Sequence, residues 1–234
     1  MKKIQFAILV CLLLVLAACG TSGTAETTDT KQLELSAQEV AKLVVDHRNG
    51  TISVRSDTSS DYIQVEAGVR SNGASMKKLE LDLRADHNIA YLDARFEGQF
   101  LATGSGAVDL EVTVPKGVDV EIKSHRDGDI TLNQLQSSAS IDNINGDIFV
   151  SGLSGSLEID NRDGNVTVTD IAETVIIDNL NGHVAIERID GAVEIHVGDG
   201  SLAIDQVKKD VTITQTGKGE VSIGEINGNV VHKK

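Results

Sequence analysis

The sequence predicts an all-β protein whose larger part is a parallel β-solenoid, preceded by a less regular N-terminal β region. Two observations predict this fold. Glycines recur every 18 residues along the second half of the chain, and an apolar–polar alternation follows each of them. Aromatic residues make up only 3% of the 234 residues. The core must therefore consist of Val, Ile and Leu, and the β-branched members favour strands.

The glycine repeat defines the coil of the solenoid. Asp, Asn or Lys precedes each glycine, and Asp-Gly and Asn-Gly pairs are typical of tight turns because both residue types tolerate positive φ. A second apolar alternation begins half-way along each repeat, as in Leu157-x-Ile159. The coil therefore has two nine-residue halves, each a strand and a turn, and about six coils fit between Val118 and Val231. The repeating glycines are Gly128, Gly146, Gly164, Gly182, Gly200 and, one residue late, Gly219.

An antiparallel meander is the alternative fold. It gives no reason for equivalent residues to recur at an 18-residue spacing. A parallel, in-register stack does, because it places those residues in contact at ~4.8 Å from coil to coil. The repeat therefore favours the solenoid, with regular coils over residues 118–234.

Residues 33–117 alternate less regularly. Gly50 lies 78 residues before Gly128, which is not a multiple of 18, so we expect irregular coils or a capping sheet here. Ser36 and Glu39 have the spacing of a capping box for a short helix. Six segments have strand character: Leu43–Asp46, Thr51–Arg55, Tyr62–Ala67, Leu79–Arg84, Ala90–Phe96 and Val108–Val114.

Residues 1–18 have the pattern of an export signal. Two lysines precede a mostly apolar stretch, Ile4 to Leu16, which is too short to span ~30 Å of hydrocarbon as a helix. The segment Leu16-Ala17-Ala18-Cys19 then resembles the lipobox of bacterial lipoproteins. The resemblance implies cleavage before Cys19, an S-diacylglycerol and an N-acyl group such as palmitate on this cysteine, and an anchor on the extracytoplasmic side of the cell membrane. An ordinary signal peptide with a chance cysteine is the alternative.

The segment after the cysteine is polar and lacks apolar periodicity. We predict that residues 19–32 form a flexible linker between the lipid and the fold. The chain has a formal charge of −14. This charge opposes binding to nucleic acid and to anionic membrane surfaces, and its simplest role is solubility.

Several segments resemble a known family. The run VDLEVTVPKG, from Val108 to Gly117, leads into Asp127-Gly128, and units such as SLEIDNRDGNVTV and TVIIDNLNGHVAI follow. Together these segments resemble the bacterial "putative adhesin" family of surface β-solenoid proteins, a domain of unknown function. The resemblance covers about residues 40–231. It implies a solenoid on the exported face of the envelope, and some members accompany envelope-stress regulators. The family provides no site motif, so no functional residue is transferred.

Three aspartates are candidate calcium ligands. Asp142, Asp160 and Asp178 share one position of the coil, and asparagines follow each of them. Ca²⁺ would relieve repulsion between stacked carboxylates because it takes six or more oxygen ligands. The alternative is turn chemistry, with Asn143, Asn161 and Asn179 hydrogen-bonding along a ladder. The double glycine of the calcium-binding nonapeptide is missing.

The sequence predicts no enzyme and no other cofactor. It contains no H-E-x-x-H motif and no nucleophile elbow. His196, one coil after Asp178, and His183 are predicted to face solvent. Five lysines near the C-terminus are predicted to discourage edge-to-edge stacking, or else to form a docking face for an anionic polymer. They are Lys208, Lys209, Lys218, Lys233 and Lys234.

The leading functional hypothesis is a lipid-anchored, non-enzymatic binding, adhesin-like or scaffold module of the bacterial envelope. Its expected partner is a cell-wall glycan or a surface protein. One alternative is an accessory factor in envelope-stress signalling that acts through a membrane partner. A polysaccharide-active enzyme is the weaker alternative.

Overall fold

The computed structural model describes residues 27–97 and 105–234. The predicted signal peptide, Cys19 and the first part of the linker lie outside these residues. Within the described residues there are twenty strands and one 3-10 turn, Met76–Lys78, so the predicted all-β class is confirmed. The strands are β1 Thr27–Ser36, β2 Lys42–His47, β3 Ile52–Asp57, β4 Tyr62–Asn72, β5 Leu79–Asp86, β6 Ile89–Phe96, β7 Ser105–Pro115, β8 Asp119–His125, β9 Ile130–Asn133, β10 Ala139–Asn145, β11 Ile148–Leu153, β12 Leu157–Asp163, β13 Val166–Ile171, β14 Val175–Asn181, β15 Val184–Ile189, β16 Val193–Asp199, β17 Leu202–Val207, β18 Val211–Gln215, β19 Val221–Ile223 and β20 Val230–Lys233.

Two ten-stranded sheets form the walls of the solenoid in the described parts of the chain. Sheet A has the order β1-β4-β7-β3-β9-β11-β13-β15-β17-β19, and sheet B has the order β20-β18-β16-β14-β12-β10-β8-β2-β6-β5. From β8 onwards the chain alternates between the sheets, so two successive strands make one coil. Equivalent residues 18 positions apart are register partners, for example Val166 with Val184. The predicted 18-residue coil of two halves is confirmed.

The turn glycines are required because successive coils approach closely at this corner. Gly164 has a φ of +138°, and a Cβ atom on it would lie 2.1 Å from the carbonyl oxygen of Gly146. A side chain is excluded there both by the backbone conformation and by the lack of space. The glycine column therefore fixes the turn at which each coil passes from sheet B to sheet A.

Aliphatic side chains fill the space between the sheets. The alternation places Ile159 and Ile177 inward from sheet B, and Val168 and Ile186 inward from sheet A, all 2% exposed or less. Each inward residue packs on its equivalents in the coils before and after it. The core is therefore one continuous set of aliphatic ladders, which no single coil could bury alone.

The N-terminal region contains a regular coil that the sequence spacing conceals. Each of the six predicted strand segments overlaps one of β2 to β7. Strands β2 and β3 form a coil that lies between β6/β7 on one side and β8/β9 on the other, with parallel pairing on both sides. The amide of Gly50 donates to the Asp127 carbonyl at 2.9 Å. Gly50 thus stacks on Gly128, and the spacing is not a multiple of 18 because β4 to β7 are inserted between them.

Antiparallel strands end the stack at its N-terminal side. Strand β1 pairs with β4, β4 with β7, and β5 with β6. The prediction of a flexible linker is wrong for residues 27–32. These residues belong to β1, because β4 offers them a continuous antiparallel ladder from Thr27 opposite Ser71 onwards. The short helix suggested by Ser36 and Glu39 is also wrong, since residues 37–40 form a turn.

No helix in the described residues, 27–97 and 105–234, is long and apolar enough to cross a membrane.

Candidate functional site

The outer surface of sheet B carries the predicted aspartate column. In strands β10, β12 and β14, Asp142, Asp160 and Asp178 are direct register partners from one coil to the next, and all three are exposed. His196 continues the column in β16 as the partner of Asp178. We call this surface, with the residues that flank the column on the same strands, the acidic face.

The acidic face concentrates negative charge, although Arg162 of β12 also lies on it, 3.5 Å from Asp163. Burial by its neighbours, together with the charges of Asp178 and Asp142, raises the pKa of Asp160. His196 Nδ1 lies 3.2 Å from Asp178 Oδ2. None of the ion pairs within residues 27–97 and 105–234 joins a lysine or arginine to one of the three column carboxylates. The side chain of His196, which was predicted to face solvent, is 44% exposed and faces solvent in part.

Convergent metal ligands are missing from this surface. In the part of the chain that the structure describes, no group of three or more His, Cys, Asp or Glu side chains could hold a metal ion. The aspartates lie in a line along the stack, whereas Ca²⁺ needs oxygens on several sides. Calcium binding by Asp142, Asp160 and Asp178 therefore stays a prediction that rests on the sequence pattern alone.

Exposed aliphatic side chains flank the aspartate column. On β14, Ile176 and Leu180 lie on either side of Asp178 and are 43% and 50% exposed, and Ile144 of β10 is 39% exposed. Residues two apart on a strand point to the same side of the sheet. The acidic face therefore combines carboxylates with apolar groups on a rigid, regularly spaced frame.

The asparagines beside the aspartates point into the protein and form the ladder that was the alternative to calcium. Asn143, Asn161 and Asn179 are at most 2% exposed. Asn143 Nδ2 donates to Asn161 Oδ1 at 2.8 Å, and Asn161 Nδ2 donates to Asn179 Oδ1 at 2.7 Å. Each of the first two amides also approaches the carbonyl of the turn glycine three residues later. The ladder thus ties the coils together and supports the turns.

A second polar column lies at the turn and alternates carboxylates with amides. Asn145 Nδ2 donates to Asp127 Oδ1 at 3.0 Å, and Asn181 Nδ2 donates to Asp163 Oδ1 at 2.7 Å. The alternation replaces carboxylate repulsion with hydrogen bonds between coils. The role of this second column is structural, because its hydrogen bonds join successive coils.

Two buried histidines, His47 of β2 and His125 of β8, were missed by the sequence predictions. They occupy the same inward column as the asparagines, and Asn143 is the register partner of His125. Their Nδ1 atoms are 2.9 Å apart, and both side chains are fully buried. The sequence contained an indication of this pair. His47 precedes His125 by the same 78 residues that separate Gly50 from Gly128.

A groove with a volume of about 560 Å³ lies along a corner of the stack. Four of its charged side chains form two ion pairs, and Glu225 also lines the groove. Arg188 binds both carboxylate oxygens of Asp170 at 2.7 and 3.0 Å, and Lys208 lies 2.7 Å from Asp190. The two ion pairs at this open corner stabilise the turns.

The exposed histidine His183 contacts a serine. Its Nδ1 lies 2.7 Å from Ser201 Oγ. A hydrolytic triad needs a third group, a carboxylate, on the other ring nitrogen. None of the hydrogen bonds within residues 27–97 and 105–234 joins His183 to a carboxylate. The pair therefore lacks the element that would orient the imidazole for catalysis.

The fold agrees with a family match and with a solved structure. Residues 20–227 match the family Toastrack DUF4097, and the chain belongs to this family. The crystal structure of a "putative adhesin" from Bacteroides fragilis is 13% identical, with a TM-score of 0.50, and covers 88% of this chain and 95% of its own. A "putative cell adhesion protein" from Clostridium sporogenes is 10% identical, with a TM-score of 0.42, and covers 88% of this chain and 100% of its own. At 13% identity the similarity to the Bacteroides fragilis structure concerns the fold. No curated protein is a detectable relative.

Proposed function

We propose that this protein is a non-enzymatic binding module of the bacterial envelope, lipid-anchored at Cys19, that binds its partner through the acidic face. The observation that carries the proposal is a column of three exposed, in-register carboxylates without lysine or arginine partners in the described parts of the chain. Such unneutralised charge on a rigid sheet attracts a partner with cationic groups. Its partner would be a cell-surface protein or a cell-wall glycan that carries amines.

The exposed aliphatic residues support binding rather than mere solubility. Ile176 and Leu180 enclose Asp178 on one strand. Solubility alone gives no reason for large aliphatic side chains beside a carboxylate column, whereas interfaces combine apolar contacts with polar ones. The incomplete His183–Ser201 pair argues for binding over catalysis. The envelope-stress and polysaccharide-processing functions stay predictions.

The binding proposal is testable with residues 20–234 and purified cell walls or surface proteins of the source bacterium. The variant Asp142→Asn/Asp160→Asn/Asp178→Asn removes the column charge without changing side-chain size. We expect the unmodified protein to be retained and the triple variant to be retained at least about tenfold less at low salt. Glu34→Gln/Glu66→Gln/Glu111→Gln, at exposed positions on the outer surface of sheet A, removes the same charge and is the matched control. Equal retention of all three proteins, or retention of none, would overturn the acidic face as the binding surface.

The anchor is testable separately in cells. We expect the full chain to incorporate labelled palmitate and to partition with membranes, and Cys19→Ala to do neither. A Cys19→Ala protein that still loses its signal and stays in the membrane fraction would refute lipidation at this residue.

A further inference from the structure

The buried pair of His47 and His125 joins the coil of β2 and β3 to the regular coils that begin with β8. Each Nε2 atom contacts a backbone carbonyl: His47 Nε2 lies 2.7 Å from Val108 O, and His125 Nε2 lies 2.8 Å from Gly128 O. A carbonyl oxygen only accepts hydrogen bonds, so each Nε2 must carry a proton to make its contact.

The two Nδ1 atoms face each other directly. They are 2.9 Å apart, while the ring centroids are 5.0 Å apart and the ring planes differ by 22°. The distance between the ring centroids exceeds the distance between the Nδ1 atoms by about two ring radii. Both Nδ1 atoms therefore lie close to the line that joins the two centroids. This is the geometry of an N–H···N hydrogen bond, which needs one proton between the two nitrogens.

Counting protons shows what the pair requires. Two neutral imidazoles carry two protons, and the three contacts need three. A neutral pair therefore leaves one contact without a hydrogen, and one additional proton completes all three. A fourth proton would direct two N–H groups at each other across 2.9 Å, and the rings would have to separate.

We propose that His47 and His125 form a proton-binding latch between the N-terminal β region and the regular coils, which shares one proton while closed and opens when it takes a second. The pair links β2 to β8, the two sheet B strands at which the N-terminal β region meets the regular coils. Opening would therefore loosen this junction and leave the coils from β10 onwards intact.

The surroundings of the pair both lower and raise the pKa values of the two histidines. Burial and the charge of His125 lower the pKa of His47 to about 4, while the Val108 carbonyl and Asp109 of β7 oppose this shift. Burial lowers the pKa of His125, against the Gly128 carbonyl and the nearby Asp127 and Asp129. The adjacent strands contribute uncharged register partners, Ala94 of β6 and Asn143 of β10. The second proton thus enters only in acid.

The asparagine ladder supplies a matched replacement. The Oδ1 atom of Asn143 is buried without a hydrogen-bond partner in the described structure. In Asn161 and Asn179, the Oδ1 atom accepts a hydrogen bond from the asparagine one coil earlier. The residue one coil before Asn143 is His125. Asparagine at position 125 would supply the donor and could still reach Gly128 O. The variant His47→Asn/His125→Asn therefore extends the ladder and removes both imidazoles.

The test measures urea unfolding from pH 7.5 to pH 4.5 for the full fold, residues 20–234, with the exposed variant His232→Asn as control. We expect the unfolding equilibrium constant of the wild type and of the control to rise at least about tenfold more between pH 7 and pH 5 than that of the double variant. Equal pH profiles for all three proteins would overturn the latch.

A second measurement does not depend on whether the double variant folds. ¹⁵N NMR of the wild-type imidazoles should find one Nδ1-bound proton shared by the pair on mild acidification, before any loss of β2 and β8 signals. Both Nδ1 atoms remaining without a proton down to the pH of unfolding, or both becoming protonated in the intact fold, would contradict the proposal.

Discussion

The middle coils and the N-terminal junction solve the same structural problem with different side chains. Both place a polar residue at one inward position of sheet B, next to the glycine turn. In the middle coils this residue is Asn143, Asn161 or Asn179, and at the junction it is His47 or His125. A carboxamide carries donors and an acceptor together, so amides can hydrogen-bond from coil to coil at any pH at which the protein folds. An imidazole changes its donors and acceptors with its protonation state.

The comparison teaches that a repeat can keep its backbone geometry while changing its chemistry. The glycine column runs through Gly50, Gly128 and Gly146 without interruption. The polar column beside it changes from histidine to asparagine within one coil. Uniform stability is therefore expected along the middle coils, and pH-dependent stability at the junction.

The strongest way to break the regular coils is to add a side chain to the glycine column. Gly164→Ala should destabilise the protein by about 4 kcal/mol, because its Cβ would collide with the Gly146 carbonyl oxygen at a strained φ. Thermal unfolding by circular dichroism measures the effect.

Gly117→Ala is the matched control for that substitution. Gly117 also has a positive φ, +80°, but a Cβ atom there meets nothing within 4 Å. Its cost should be limited to the backbone strain of about 1–2 kcal/mol. Equal costs at the two positions would contradict the close packing of successive turns.

Breaking the asparagine ladder should have the next largest effect. Asn161→Ala removes the bonds to both neighbouring asparagines and leaves Asn179 Oδ1 buried without its donor. We expect a loss of about 3 kcal/mol in the free energy of unfolding, measured in urea. The exposed Asn165, whose side chain bonds Asp147 at 3.2 Å, provides the control. Asn165→Ala should cost less than about 1 kcal/mol, and a reversal of this order would refute the ladder's role.

The smallest effect is expected on the acidic face, and its sign is opposite. Asp160→Asn should stabilise the fold at pH 7 by about 0.5 kcal/mol, because it removes repulsion by Asp142 and Asp178. Since the folded-state pKa of Asp160 is raised, the gain should disappear in acid as the wild-type carboxyl becomes protonated.

Asp170→Asn is the comparison variant for Asp160→Asn, because the opposite sign is expected. Arg188 lowers the pKa of Asp170 by a side-chain hydrogen bond, so the substitution should destabilise the fold slightly at pH 7. The difference should shrink as the pH falls through the lowered pKa of Asp170. Urea titrations of both variants at pH 7 and pH 3.5 compare them, and shifts of the same sign would contradict the electrostatic description of the acidic face.

The sequence predicted the repeat well because its information is periodic. A parallel stack places residues 18 apart in contact, so the sequence alone assigns Asp142, Asp160 and Asp178 to one column. The neighbouring asparagines form the ladder that was predicted as the alternative to calcium. The alternation of the strand turns Asn161 into the core, where it bonds its equivalents in both adjacent coils.

The junction could not be predicted in the same way because insertion breaks the period. Strands β4 to β7 separate His47 from His125 in the chain, although β2 and β8 are neighbours in sheet B. Strand β1 was missed for a different reason. Its residues 27–32 are polar, and their order depends on backbone pairing with β4 rather than on apolar side chains.

Hydrogen exchange resolved by segment, between pH 7 and pH 5, tests the contrast most directly. The pKa of His47, about 4 in the fold and about 6.5 when unfolded, means that stability is complete above pH 6.5 and is lost as the pH falls towards 4. After correction for intrinsic exchange rates, β2 and β8 should lose up to about 3 kcal/mol of opening free energy over the full shift, and about 2 kcal/mol by pH 5. The strands β12 and β14 should change far less. Equal loss of protection in both regions, or loss confined to β12 and β14, would contradict the account.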